Sequence, residues 1–213
     1  MENLLTKELR IPSSGCDAQG LLGIYNIFQL FMDLAGEHAD RLGVGYADML
    51  ARGCFWVAVR TRIRSLRRAG MGQTVTAQTW FAKPGLAKSD RFYRLTGADG
   101  TIAEGRTEWA VQDLETGAVR RTNSYGWPAI EPRQERVCGE PFTRFRPLTE
   151  GERFSYTVSS MDIDTGHHMN NAAYIRMFLS TFTAEALAAT DAEYGAIVVK
   201  NDVSGNYINA LMD

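Results

Sequence analysis

From Ile24 to Leu42 the apolar residues Ile24, Ile27, Phe28, Phe31, Leu34, Ala35, Ala39 and Leu42 recur at steps of three and four, with His38 a half-polar member of the same stripe. That spacing predicts a helix with one buried face. Gly43 is the residue that ends it. Tyr46 to Ala51 reads as a short second helix before Gly53. From Cys54 to Ser65 the period changes to two, with Val57, Val59, Thr61 and Ile63 on one face and Trp56, Ala58, Arg60, Arg62 and Arg64 on the other. This is a strand with a cationic face. Three more strands are expected at Thr74–Ala82, Ser89–Thr96 and Thr101–Asp113, joined by Lys83-Pro84-Gly85 and Gly97-Ala98-Asp99-Gly100. Both connectors carry turn chemistry. Leu4 to Ile11 alternates weakly as a first strand. A strand, a long helix and an antiparallel meander together predict an α+β unit, a curled sheet wrapped around one helix.

The texture then changes. Between Leu114 and Glu150 lie four of the chain's six prolines among charged residues, which predicts a linker running over the surface. Order resumes at Arg153–Ser159, where Phe154, Tyr156 and Val158 alternate with polar residues as in a strand. A polar loop follows, and Ala173 to Ala188 carries Tyr174, Met177, Phe178, Phe182 and Leu187 at near-helical spacing. Shifting the numbering by 147 lays Asp164 on Asp17 and Phe178 on Phe31, with elements in the same order. The chain therefore reads as two copies of one unit.

Composition narrows the function classes. The 213 residues are 45% hydrophobic and 23% charged, as in an ordinary globular protein. Cys16, Cys54 and Cys138 are few, odd in number and far apart, which argues against a disulfide framework or a zinc site and points to a reducing interior. The N-terminus carries acids and lacks the basic start and apolar core of a signal peptide, and no apolar run is long enough to span a bilayer. A cytoplasmic protein is expected. A formal charge of −2 offers no global attraction to nucleic acid or membrane, so an acidic partner must meet a local patch.

The chemistry gathers in Met161-Asp162-Ile163-Asp164-Thr165-Gly166-His167-His168-Met169-Asn170-Asn171-Ala172-Ala173-Tyr174, which holds two of the three histidines. Carboxylates, imidazoles and amides at a helix start bring together a base, a group to orient it and N–H donors for developing negative charge. The plainer alternative is a helix cap with solvated histidines.

Several stretches resemble the acyl-acyl carrier protein thioesterases. They are Leu42-Gly43-Val44-Gly45-Tyr46, Gly53-Cys54-Phe55-Trp56-Val57, Thr79-Trp80, Arg91-Phe92-Tyr93-Arg94-Leu95, Glu108-Trp109-Ala110 and above all Asp164-x-x-x-His168-Met169-Asn170-Asn171-x-x-Tyr174. The resemblance runs in order along nearly the whole chain. It implies two tandem hotdog domains, each a long helix wrapped by a curved antiparallel sheet: an N-terminal one over 1–113, a linker over 114–150 and a C-terminal one over 151–213. It implies hydrolysis of the thioester between a fatty acyl chain and an acyl carrier protein's phosphopantetheine arm, releasing free fatty acid in fatty acid biosynthesis. The N-terminal unit would hold the acyl chain and the C-terminal unit would supply the catalytic loop. No cofactor or metal is implied.

In that frame His168 is the candidate base and Asp164 its partner, with Gly166, Asn170 and Asn171 shaping the loop and capping the helix. His167 is expected to be solvated. Two family residues are not matched: Gly166 stands where plant members have an asparagine, and Asn209 or Ala210 where the family has a glutamate beyond the second helix. From Gly151 only 63 residues follow, about half of what a complete second hotdog implies, so its last strands are expected to be missing. Its open sheet edge would need covering by the first domain or by another chain. A monomer or a homodimer is expected. Trp56, Trp80 and Trp109, on successive strands, are candidates to line an acyl tunnel, with core packing the alternative. Arg60, Arg62, Arg64, Arg67 and Arg68 are candidates to dock the acidic carrier, with a solvated strand face the alternative. Against turnover on the carrier stand an acyl-CoA thioesterase and a catalytically impaired hotdog protein that only binds acyl thioesters.

Overall fold

The computed structural model describes residues 2–142, 155–164, 169–183, 196–200 and 210–212. In chain order the elements are β1 (Leu5–Arg10), α1 (Ile24–Arg41), α2 (Tyr46–Ala51), β2 (Cys54–Ser65), β3 (Thr74–Phe81), β4 (Lys88–Gly97), β5 (Gly100–Asp113), α3 (Asn171–Leu179), β6 (Ala196–Lys200) and β7 (Ala210–Met212). The strands form one antiparallel sheet in the order β1-β3-β4-β5-β2-β6-β7. The first five strands wrap around α1, which is the hotdog arrangement, and β6 and β7 extend the sheet from the second unit through β2.

The apolar stripe of α1 lies on the sheet's inner face. Ile27, Phe28, Phe31 and Leu34 are buried there, and Phe31 stacks on Tyr93 of β4 with ring centroids 4.8 Å apart. Gly105 of β5 makes room for that stack, since a Cβ there would lie 2.8 Å from the Phe31 ring. After α1 the backbone turns at Gly43 with φ +68°, a left-handed conformation suited to glycine.

Strict alternation along β2 fails at one place. The ladder to β5 pairs Ala58 with Trp109 and then Arg60 with Glu108, so Val59 is an extra residue, a β-bulge. The bulge moves Trp56 and Ala58 to the inner face with Thr61 and Ile63, and separates them from the arginines. Arg60, Arg62 and Arg64 remain on the outer face.

The duplication is visible residue for residue. A 3₁₀ turn at Ser13–Gly15 recurs at Ser160–Asp162, and a β-bridge between Cys16 and Leu22 recurs between Ile163 and Met169. Helices α1 and α3 begin at Ile24 and Asn171. All three correspondences obey the same shift of 147.

Two sequence expectations are corrected. Within Arg153–Ser159, residues 155–159 pair with no strand among the described residues; alternation is local, whereas a strand needs a ladder partner. Helix α3 ends at Leu179 because the Ser180 and Thr181 hydroxyls turn back to donate to the carbonyls of Met177 and Phe178. Residues 184–188 of the expected helix lie outside the described residues.

Residues 114–142 do not stand off from the sheet. Tyr125, Trp127 and Ile130 pack on the core at the end of α1, while Val137 covers Trp80 and Phe92 on the outer face. No helix among the described residues is long and apolar enough to cross a membrane.

Candidate active site

The loop carrying Asp164 is fastened at its base by Asp162. This carboxylate has no exposed surface. It accepts hydrogen bonds from the Ser159 backbone N–H (2.7 Å), the Ser159 hydroxyl (2.8 Å) and the Tyr156 hydroxyl (2.9 Å), and it pairs with Arg176 on the second turn of α3. Each of these partners is a donor. The Ser159 N–H, followed by the Ser159 and Tyr156 hydroxyls and the Arg176 charge, holds the Asp162 carboxyl down at about 2 against the opposing effect of burial, so it is ionised at neutral pH. The Asp162 carbonyl in turn accepts from the Asn170 N–H at 2.7 Å.

The far end of the loop is a helix start. Asn170 is the N-cap of α3, and its side-chain oxygen accepts from the Ala172 N–H at 2.8 Å. The Ile163–Met169 bridge closes the loop between these two anchors. Asp164 follows the bridge. Burial raises the pKa of the half-buried Tyr174 phenol and the Asp164 carboxylate adds to it, so the two lie within electrostatic reach of each other. Asn171 is the first residue of α3. Gly166, His167 and His168 lie outside the described residues.

Asp17, which the 147-residue shift equates with Asp164, has a structural task. It accepts from the N–H groups of Gln19 and Leu21 and pairs with Arg68.

The three tryptophans are not brought together. Trp56 and Trp109 meet edge to face on the inner side, with centroids 6.4 Å apart. Trp80 points to the outer face, where it packs on Phe92 and donates to the Glu135 carbonyl at 2.8 Å. The arginines are engaged by the chain itself. Arg62 is buried and donates to the carbonyls of Glu140 and Pro141, Arg64 pairs with Glu140 at 2.7 Å, and Arg60, Arg62 and Arg106 surround the Phe142 ring. Arg67 is exposed and donates to the Asp99 carbonyl.

Sequence reasoning passed over Asp162. Its signal was present in Ser159-x-x-Asp162, the spacing at which a serine and an acid close a turn on each other.

A family model for the acyl-ACP thioesterase N-terminal domain matches residues 2–124, and one for the C-terminal domain matches residues 145–202. The chain belongs to the acyl-ACP thioesterase family. The oleoyl-acyl carrier protein thioesterase of Coriandrum sativum is 20% identical over 189 residues, covering 80% of this chain and 51% of that protein. The palmitoyl-acyl carrier protein thioesterase of Cuphea hookeriana is 24% identical over 179 residues, covering 72% and 39%. This chain thus spans about half the length of these relatives, or less. Among solved structures, an acyl-ACP thioesterase from Bacteroides thetaiotaomicron superposes with a TM-score of 0.77 at 19% identity, over 99% of this chain and 93% of that one. The 12:0-ACP thioesterase from Umbellularia californica gives 0.79 at 15% identity, over 95% and 83%. These likenesses establish the tandem hotdog fold.

Proposed function

We propose that this chain hydrolyses the thioester between a fatty acyl group and the phosphopantetheine arm of an acyl carrier protein, with Asp164 and His168 as its catalytic groups. The observation that supports this most is the fastening of the Asp164 loop, in a member of this family, to the buried Asp162 and to the capped start of α3. A reacting group needs such a rigid mount. In this reading a neutral His168 takes a proton from water as the water oxygen attacks the carbonyl carbon. Asp164 orients the imidazole and offsets its charge. The carbon–sulfur bond then breaks, the imidazolium returns its proton to the leaving thiolate, and N–H donors near the start of α3 stabilise the oxyanion. Carrier docking falls to Arg64 and Arg67, because Arg62 is closed off by Glu140 and Pro141. The few, widely spaced cysteines support a reducing compartment for this reaction.

Gly166 and the missing glutamate favour a second reading, an acyl-thioester binder without turnover. Single-turnover hydrolysis of acyl-carrier substrates over a series of chain lengths separates the two. Turnover abolished by His168→Ala, and lowered about 10²- to 10⁴-fold by Asp164→Asn, is expected. Binding without release of free acid would overturn the proposal. Comparing carrier and coenzyme A thioesters at two salt concentrations tests the arginines, since docking through exposed charges weakens as salt rises.

A further inference from the structure

Four apolar side chains project at one end of the sheet. They are Leu86 in the turn between β3 and β4 (85% exposed), Leu114 (50%) and Val119 (58%) in the turn after β5, and Leu50 (36%) on α2. Backbone hydrogen bonds tie their segments into one rim. The Gly53 N–H donates to the Leu50 carbonyl, the Leu114 N–H to the Gly53 carbonyl, and the N–H of Arg120, next to Val119, to the Val111 carbonyl of β5. The Thr122 N–H then donates to the Leu86 carbonyl at 2.9 Å.

Leu86 is held out by a braced turn. The Gly85 N–H donates to the Lys88 carbonyl at 2.8 Å, and the hydroxyl of the buried Thr122 donates to the Gly85 carbonyl at 2.7 Å. The turn after β5 is fixed by Asp113, whose carboxylate accepts from the N–H groups of Glu115 and Thr116 and from the Thr116 hydroxyl. Single exposed apolar residues are ordinary on a protein surface, but four on one braced rim form a patch. Cations stand beside Leu86. Lys83 and Arg121, on the segments that carry and fasten it, are exposed and pair with no carboxylate among the described residues. Asp113 is paired with Arg120 and Glu108 with Lys88, while the other acids of this end, Asp40, Asp48 and Glu115, lie toward α2 and Leu114.

The shape of this rim selects its partner. A peptide or helix is received by a groove, whereas these side chains stand out from turns and leave nothing to lie in. A bilayer surface accepts projecting apolar side chains at the boundary of its acyl region, and its anionic headgroups meet the lysine and arginine beside them. The formal charge of −2 gives the chain no general pull toward such a surface. Attraction is therefore confined to the end that carries Leu86.

We propose that this end of the sheet docks on an anionic lipid surface, with Leu86 entering the acyl boundary and Lys83 and Arg121 meeting the headgroups. The inference goes beyond the thioesterase reading and does not depend on it. The test sediments the full chain with vesicles of phosphatidylcholine, either alone or with about a third phosphatidylglycerol. Binding to the mixed vesicles is expected to be about tenfold or more tighter than to the neutral ones, and to weaken as salt rises. Leu86→Ser should lower binding to the mixed vesicles about tenfold with an unchanged thermal midpoint, because the side chain is exposed in the free chain. Lys83→Glu combined with Arg121→Glu should remove the preference for phosphatidylglycerol. Leu86→Trp should keep binding, and brominated lipid should quench its emission more than that of the unmodified chain. Absent or equal binding to the two vesicle types overturns the proposal, as does binding that Leu86→Ser leaves unchanged. So does a chain that ignores vesicles but loses affinity for an acyl carrier protein in Leu86→Ser, which would make this end a protein-docking surface.

Discussion

The Asp162 carboxylate and the Arg176 guanidinium join the two sides of the loop that carries Asp164, one from the 3₁₀ turn before it and one from the helix after it. All of Asp162's side-chain partners are donors, so in Asp162→Asn the new NH₂ group must face another donor while the ion pair is lost. The expected outcome is a loop shifted from its working position. Hydrolysis by Asp162→Asn should fall about 10- to 100-fold in kcat with little change in KM, since a displacement of about 1 Å suffices for that. The thermal midpoint should fall as well. Arg176→Gln leaves the Ser159 and Tyr156 bonds in place and should fall less in both measurements.

His38 sets a pH dependence of stability. Burial, then the Arg91 charge, lowers its pKa to about 4, with the Glu2 carbonyl opposing them and Arg41 adding a little. In the unfolded chain the same ring titrates near about 6.5. Between these values the unfolded state binds the extra proton, so stability is complete above about 6.5 and is lost as pH falls toward 4. The loss is about 3 kcal/mol at full titration. Urea denaturation of the native chain and of His38→Gln at pH 7 and pH 4.5 should show the gap between them shrinking or reversing in acid. An unchanged gap would contradict a neutral buried ring.

The segment over the outer face should be a stability element. Phe142 lies under the guanidiniums of Arg106 (4.7 Å) and Arg62 (5.4 Å), and Arg62 and Arg106 also bind the Glu140 carbonyl. Phe142→Ala removes a buried ring and these cation–π contacts, which should destabilise the chain by about 2–3 kcal/mol. Limited proteolysis should then cut between Glu131 and Phe142 first. Loss of stability without new cleavage there would place the effect elsewhere.

The sequence and the structure agree where the signal is local and periodic. The stripe from Ile24 to Leu42 and the alternation from Cys54 to Ser65 locate α1 and β2 almost to the residue. The duplication was legible through Asp17 and Asp164, and extends to the 3₁₀ turns and bridges. The bulge at Val59 was not legible, because inserting one residue leaves alternation intact on either side and reverses only which face is which. Ladder pairing is non-local, so the alternation in Arg153–Ser159 could not show whether a partner was present. Arg91 escaped for another reason: alternation puts it on the face of Tyr93 and Leu95, but only the packing of His38 and Thr79 against it shows that a charged side chain is accommodated inside.

Gly105 tests how tightly α1 is fitted to the sheet. A methyl group there would meet the Phe31 ring at 2.8 Å and the Tyr93 ring at 3.3 Å, and both rings belong to the core. Neither ring can rotate away without losing the stack. Gly105→Ala should therefore destabilise the chain by about 1–3 kcal/mol through overpacking, despite the gain in strand propensity that replacing glycine normally brings. Phe31→Leu, which alone opens a void, should become less harmful in the Gly105→Ala background, because the methyl fills part of the space. A double-mutant cycle read by urea denaturation measures this coupling, and simple additivity would mean that the clash is relieved by backbone movement instead.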